Sequence, residues 1–363
     1  MGLNDMAKKR NTNMDLLRML SMMMVTMLHA LDKSGLLTNA GEVVGFNGCL
    51  AWIMESFSIC AVNIFMILSG YFLIRSEFKT GRLLELVFQT FFYTAGTFSA
   101  YYLSGQIDAA QMNIYQLLRY FLPIHMDVYW FITAYIALYL LLPLLQKGVI
   151  NLSQKELEKV ILILLAYECL IKSILPVKLA EDAKGYSLLW YVILFLIGAY
   201  FKLYGFRFIK KASHGWLLYV SASLLAFAEV ACIYFVSART GRLKEMIRVS
   251  MDYNHVFPLL AAVGIFGAFL MGKQIPKAFG KIVIKLSPYA LGVYLLQEND
   301  LLRYEWQKWF GLQGALSDPL PLFLGRVIGA VLAMYALGTA IDFLRSLLFR
   351  LVANFFSKGK KTA

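Results

Sequence analysis

Charge is scarce in this chain. Only 16% of its 363 residues are Asp, Glu, Lys or Arg, against 60% that are hydrophobic. A soluble domain averages about 25% charged and about 45–50% apolar residues, so an ordinary water-soluble fold is excluded. Cysteine is scarce too. Cys49, Cys60, Cys169 and Cys232 are the four, none at metal-ligand spacing, and they read as free thiols buried in apolar runs. The first apolar run has no small-residue cleavage site and holds Asp15 and Arg18, so it reads as a retained span and not a signal peptide. No internal repeat, no low-complexity stretch and no inverted repeat of the kind transporters carry is visible. No soluble esterase-like domain is expected after the last span. Any chemistry would then fall to the membrane part itself or to a separate partner.

Long apolar runs are what the sequence does have, together with 27 Phe and 21 Tyr, which suit interfacial belts. They predict an all-α polytopic membrane protein of about ten transmembrane helices in one bundle. The expected spans are 16–31, 49–74, 83–103, 128–145, 160–176, 188–204, 216–236, 256–271, 289–302 and one within 320–349. Residues 1–350 would form the membrane domain and 351–363 a short basic cytoplasmic tail. Residues 114–126 read as an interfacial or re-entrant piece. Ser153 to Glu156 has the spacing of a capping box.

The net charge of +13 is read as orientation, not as nucleic-acid binding. Ten spans put both termini on one side. That side receives 23 Lys and Arg, the other 11, and Arg326 falls inside the tenth span. The positive-inside rule therefore predicts cytoplasmic termini in the plasma membrane. The basic loop 239–248 runs against the trend and could meet an acidic glycan.

The first span carries an unusual pair. Arg18 and His29 are separated by ten residues, of which only Ser21 and Thr26 are polar. Eleven residues make about three helical turns, so both lie on one face roughly 16 Å apart along the axis. Asp15 stands one turn before Arg18 and can pair with it. Ionisable groups in a span are costly and point to function, although Arg18 alone could merely snorkel and His29 merely cap the outer end. His29 suits general acid–base work near neutral pH. Arg18, Arg75 and Arg82, with Lys79, would meet an anion on the cytoplasmic side, and guanidinium forks fit phosphates. Gln297-Glu298-Asn299-Asp300 end an apolar helix and must face water or a cavity. Glu298 could orient His29. Asp127, Tyr129 and Trp130, with His125, could form an aromatic and acidic sugar site, or an ordinary interfacial belt. Glu55 and Glu168 read as polar contacts within the bundle.

Three segments in order carry a resemblance. They are Arg18 to His29, then Asn63-Ile64-Phe65-Met66-Ile67-Leu68-Ser69-Gly70-Tyr71-Phe72-Leu73-Ile74-Arg75, then Tyr129-Trp130-Phe131. Together they resemble the acyltransferase 3 family of membrane O-acyltransferases. The resemblance implies an acyl donor in the form of acyl-CoA, most simply acetyl-CoA, and no metal. It implies as acceptor a hydroxyl of a cell-surface or exported glycan or its lipid-linked precursor, within membrane lipid. His29 would be the essential histidine, with Glu298 beside it, and Arg18, Arg75 and Arg82 donor-binding arginines. Tyr129, Trp130, Asp127 and Gln297 would contact the acceptor. Gln297 stands where many relatives carry a histidine, so no second-histidine role is carried over. A transporter or flippase of lipid-linked sugars, or a non-catalytic membrane module, would account for the spans equally well. The oligomeric state is left open.

Overall fold

A computed structural model describes residues 10–38, 44–175 and 183–359, with side chains up to Phe355. Lys8, Lys9, Asn39, Pro176, Lys178 and the end of the basic tail lie outside the described residues. The helices, in order, are α1 (Thr12–Lys33), α2 (Phe46–Ser58), α3 (Ala61–Leu73), α4 (Thr80–Leu103), α5 (Ile114–Phe121), α6 (Trp130–Asn151), α7 (Gln154–Leu165), α8 (Ile171–Ile174), α9 (Leu188–Tyr204), α10 (Ala212–Thr240), α11 (Val256–Met271), α12 (Lys277–Leu286), α13 (Ala290–Gln297), α14 (Trp306–Trp309) and α15 (Leu320–Gly359). No strand occurs among the described residues.

These helices assemble into rods that alternate in direction, because contacts between rod ends fall into two sets. At one face Asn13 donates to the carbonyls of Phe269, Gly272 and Lys273, Gln146 to those of Leu73 and Ser76, and Arg207 pairs with Glu158. At the other, Lys33 meets Glu298, Arg248 meets Asp32, Arg119 meets Asp300 and Asn47 reaches the carbonyl of Asp318. Arg18 lies toward the first face and His29 toward the second.

Seven stretches are long and apolar enough to cross a membrane: 12–33, 46–73, 130–151, 212–240, 244–271, 277–297 and 320–355. The chain is an all-α polytopic membrane protein. The remaining expected spans are present as shorter or more polar rods. Leu188–Tyr204 has 17 residues. Thr80–Leu103 turns Gln89, Thr90 and Thr94 into the bundle, which lowers its hydropathy. Gln89 and Thr94 reach across to Asp342 and to the Tyr120 carbonyl, and Thr90 Oγ1 donates within the helix to the Leu86 carbonyl at 2.8 Å. Ser21 and Thr26 of α1 do the same to Leu17 and Met22, at 2.8 and 2.9 Å, so neither leaves a bare hydroxyl in the apolar interior.

Some boundaries differ from the expectation. The ninth span begins at Lys277 and not Tyr289. Lys277, Lys281 and Lys285 are spaced four apart along one face of α12, and this lysine stripe had the look of a loop. The helix then tightens through Ser287–Tyr289 and ends at Gln297, which leaves Glu298 to Leu302 in turns. The second span is broken at Ile59 and Cys60 between α2 and α3. The last helix runs unbroken through Arg350 to Gly359, since no glycine or proline intervenes before 359. Cys60 and Cys169 are buried, whereas Cys232 is exposed on the outer side of α10.

Packing in the middle of the bundle depends on glycine. A Cβ on Gly70 of α3 would stand 2.0 Å from the Phe195 carbonyl oxygen of α9, and one on Gly198 would stand 2.1 Å from the Ile67 oxygen. The two backbones touch reciprocally, as small residues allow between membrane helices. This contact holds the face of α3 that carries Val62, Phe65, Ser69 and Phe72 against the cavity described next.

Candidate active site

α1 presents Arg18, Met22, Val25 and His29 as one stripe, with steps of four, three and four residues. The stripe lines a cavity of about 380 Å³. The opposite wall comes from α3, from Trp130, Phe131, Ile132 and Tyr135 of α6, and from Ala290, Leu291 and Tyr294 of α13. One cavity thus joins the two ionisable groups of the first span. Asn11 caps α1, accepting from the Asn13 N–H at 3.1 Å. Asp15 in its first turn and Lys33 in its last complement the helix dipole.

At the far end His29 is mostly buried. Its Nδ1 stands 3.3 Å from Glu298 Oε1. Lys33 holds the same carboxylate oxygen, so one buried carboxylate serves an imidazole and an ammonium. Charge compensation on this scale is what retains ionised groups inside a protein. Arg303 fixes the turn by donating to the carbonyls of Glu298 and Val128, both at 3.0 Å, and it pairs with Asp300 at 2.5 Å. Gln307 donates to the His29 carbonyl at 3.4 Å. The amide of Gln297 is fully buried, and neither of its polar atoms has a hydrogen-bond partner among the described residues.

The four residues expected to contact an acceptor are placed differently from one another. Trp130 lines the cavity and stacks near Tyr253, with ring centroids 5.9 Å apart and 23° between planes. Tyr129 is buried behind the wall. Its hydroxyl donates to the Leu295 carbonyl at 2.9 Å and accepts from Asn299 at 3.2 Å, so it ties α6 to α13. Gln297 is the last residue of α13 and does not line the cavity. Asp127 is exposed, on a left-handed turn with φ of 47°, and the structure does not bring it to the cavity.

At the near end Asp15 receives Arg18 at 3.1 Å and Arg10 at 2.6 Å. The Arg18 side chain keeps 36% of its exposure, enough to meet a ligand while paired. Arg82 lines a second cavity of about 190 Å³ with Glu85, Gln89 and Tyr139. Leu73, Leu86 and Tyr135 belong to both cavities, so the cavity of Arg18 and the cavity of Arg82 share a wall. Arg75 is exposed at the end of α3 and borders neither cavity.

Several residues escaped sequence reasoning. Lys33 falls just beyond the expected first span of 16–31, and Arg10 falls before it. Tyr294 sat unremarked in an apolar run, yet it lines the cavity with its ring centroid 6.5 Å from that of His29. Asp342 of α15, fully buried, accepts from Arg345 at 2.7 Å, from Gln89 at 2.9 Å and from the Tyr93 hydroxyl at 3.2 Å. A Cβ on Gly292 would meet the Asp342 Cβ at 2.3 Å, so this network and α13 pack without a gap. An Asp and an Arg three apart inside an apolar helix was the available signal for it. Arg248, in the basic loop after α10, pairs at 2.5 Å with Asp32 at the end of α1.

A family model described as an acyltransferase domain, that of acyltransferase 3, matches residues 11–339. This interval begins just before α1 and ends within α15. No curated protein and no solved structure matches the chain.

Proposed function

Because the chain belongs to the acyltransferase 3 family, we propose that it is a membrane O-acyltransferase that draws an acyl group, most simply acetyl, from cytoplasmic acyl-CoA. The acceptor is a hydroxyl of a cell-surface or exported glycan or its lipid-linked precursor. The observation that carries this reading is the single cavity lined by Arg18 toward one face and His29 toward the other. It suits a donor that enters by its phosphates and an acceptor that enters from the opposite side.

Arg18 and Arg82 grip coenzyme A phosphates as forks. Arg75, exposed outside the cavities, would meet phosphates that project from the membrane. The pantetheine arm then lies along the apolar wall of Met22 and Val25 toward His29. The Glu298 carboxylate, 3.3 Å from His29 Nδ1, favours the tautomer that carries its proton there, which leaves Nε2 as the basic nitrogen. The acceptor hydroxyl gives its proton to Nε2 as its oxygen attacks the thioester carbon. The C–O bond of the ester forms, the C–S bond breaks, and the imidazolium returns the proton to the leaving thiolate. Glu298, held by Lys33, keeps the ring in this tautomer. The protein works in the plasma membrane with both termini in the cytoplasm, as the excess of Lys and Arg on the Arg18 side supports.

The test is structural analysis of the surface glycan from a deletion strain and its complemented parent. Loss of an ester that complementation restores is expected. An unchanged ester content would contradict the proposed acceptor class.

A further inference from the structure

The turn that carries Glu298 is held by a chain of alternating charges that leads away from the cavity. α13 ends at Gln297, and residues 298–302 run on in turns, so side chains must fix what no regular helix does. Arg303 is one of them. Its Nη2 donates to the carbonyls of Glu298 and Val128, both at 3.0 Å, as basic side chains do at helix C-termini. Val128 stands just before Tyr129 and Trp130, so this one nitrogen ties the Glu298 turn to the start of α6. The same nitrogen lies 2.5 Å from Asp300 Oδ1. The other Asp300 oxygen accepts from Arg119 of α5, from Nε at 2.9 Å and from Nη2 at 2.5 Å. α5 is in turn fixed to the bundle, since Thr94 of α4 donates to the Tyr120 carbonyl at 2.7 Å. From Lys33 outward the signs alternate through Glu298, Arg303, Asp300 and Arg119. Asp300 keeps only 17% of its side-chain exposure and Arg303 22%, so neither charge is left to water alone. Arg119, Asp300 and Arg303 do not line the cavity.

We propose that Asp300, anchored by Arg119, is a positioning residue for the Glu298–His29 pair. The proposal rests on the acyltransferase reading and names what keeps the Glu298 carboxylate on His29. Arg303 holds the Glu298 carbonyl, so its guanidinium is within reach of the carboxylate of the same residue. A cation so placed competes with His29 and Lys33 for that carboxylate, and in a partly buried site the attraction is stronger than in water. Asp300 occupies the guanidinium, and Arg119 pins Asp300 to α5. Without the Asp300 charge, Arg303 turns to the Glu298 carboxylate and His29 loses the partner that sets its tautomer. The donor-binding end of the cavity, at Arg18, lies about three helical turns away along α1 and does not feel the change.

The experiment uses membranes of the producing strain, which supply the acceptor, and radiolabelled acetyl-CoA as the probe. Label transferred to the glycan fraction is expressed per coenzyme A binding site, so a lower yield of folded protein does not count. Asp300→Asn is expected to lower kcat about tenfold, the scale of coupling within one charge network, with KM for acetyl-CoA unchanged. Asp300→Glu keeps the charge and is expected to recover most of the loss. Arg119→Gln, at the more exposed end of the chain, is expected to lower kcat several-fold at unchanged KM, and it stands in if Asp300→Asn yields no binding sites. In a Glu298→Gln background Asp300→Asn is expected to lower kcat no further, because the carboxylate it protects is gone. Wild-type kcat in Asp300→Asn or Arg119→Gln, or a raised KM at constant kcat, would overturn the proposal. So would an Asp300→Glu variant as slow as Asp300→Asn, or the same tenfold loss in the Glu298→Gln background. His29→Asn runs beside them. If it transfers normally, the acyl-transfer assignment of the cavity fails, whereas normal transfer by Asp300→Asn alone removes only the positioning role.

Discussion

Two side chains, His29 and Lys33, share one Glu298 carboxylate oxygen at the far end of the cavity, and the residue scale turns on them. Glu298 faces His29 at 3.3 Å and also holds Lys33. Glu298→Gln keeps a hydrogen-bond acceptor but loses the charge that sets the imidazole tautomer. It should lower transfer by about 10²-fold, within the range assigned to positioned acid–base groups, with coenzyme A binding intact. Equal transfer by wild type and variant, measured at equal membrane abundance, would show that Glu298 does not act through His29. At the other end, Arg18→Lys keeps a cation but gives up the fork. Coenzyme A should bind the variant several-fold more weakly, by about 1 kcal/mol or more for a lost charge-assisted bond. Unaltered affinity in a direct binding assay would return Arg18 to a role in topology and in holding Asp15. Arg18 and His29 were legible because helical periodicity alone places them on one face. Lys33 and Tyr294 were not, because their meaning comes from the register of α13 against α1, which is a tertiary fact. Asp127, on a left-handed turn, is exposed and does not line the cavity, a placement that its closeness in sequence to Tyr129 and Trp130 did not reveal.

Elements in this bundle meet through close backbone approaches and one buried charge network. Asp342 and Arg345 are almost wholly buried and bonded to each other, with Gln89 and Tyr93 of α4 completing the set. Arg345→Met would strand the carboxylate, and breaking such a buried pair costs about 3–5 kcal/mol. The variant should lose thermal stability in detergent. Asp342→Leu added to it should recover much of that loss, because an apolar pair of similar volume is tolerated. A single variant that melts at the wild-type temperature would refute a structural role for the pair. Gly70→Val drives a side chain into the Phe195 carbonyl, and overpacking of this kind costs about 1–3 kcal/mol or more. The helices themselves were largely readable as apolar runs. The start of the ninth span was hidden by Lys277, Lys281 and Lys285, since charges on one face of a helix look in sequence like a loop. The break at Cys60 was hidden by an apolar run that continues across it.

For the whole molecule the claim is that donor and acceptor approach one reaction centre from opposite faces. Span order was legible from hydropathy, and orientation is an expectation from charge. The arrangement of rods around the cavity was not legible, because which helices touch is decided by complementary surfaces such as Gly70 against Phe195 and Gly198 against Ile67. Single cysteines placed at Gln274 and Ser104, in a background without native cysteines, should label from opposite sides of sealed vesicles, with position 274 reached from the cytoplasm. Labelling of both from one side would overturn the alternation of the rods. The most direct measurement of the central claim is glycan acylation in a deletion strain complemented with His29→Asn. Asparagine keeps similar size and hydrogen bonding but takes up no proton near neutral pH. The account predicts a protein present at wild-type abundance that binds coenzyme A and transfers no acyl group. Wild-type acylation at equal abundance would contradict it.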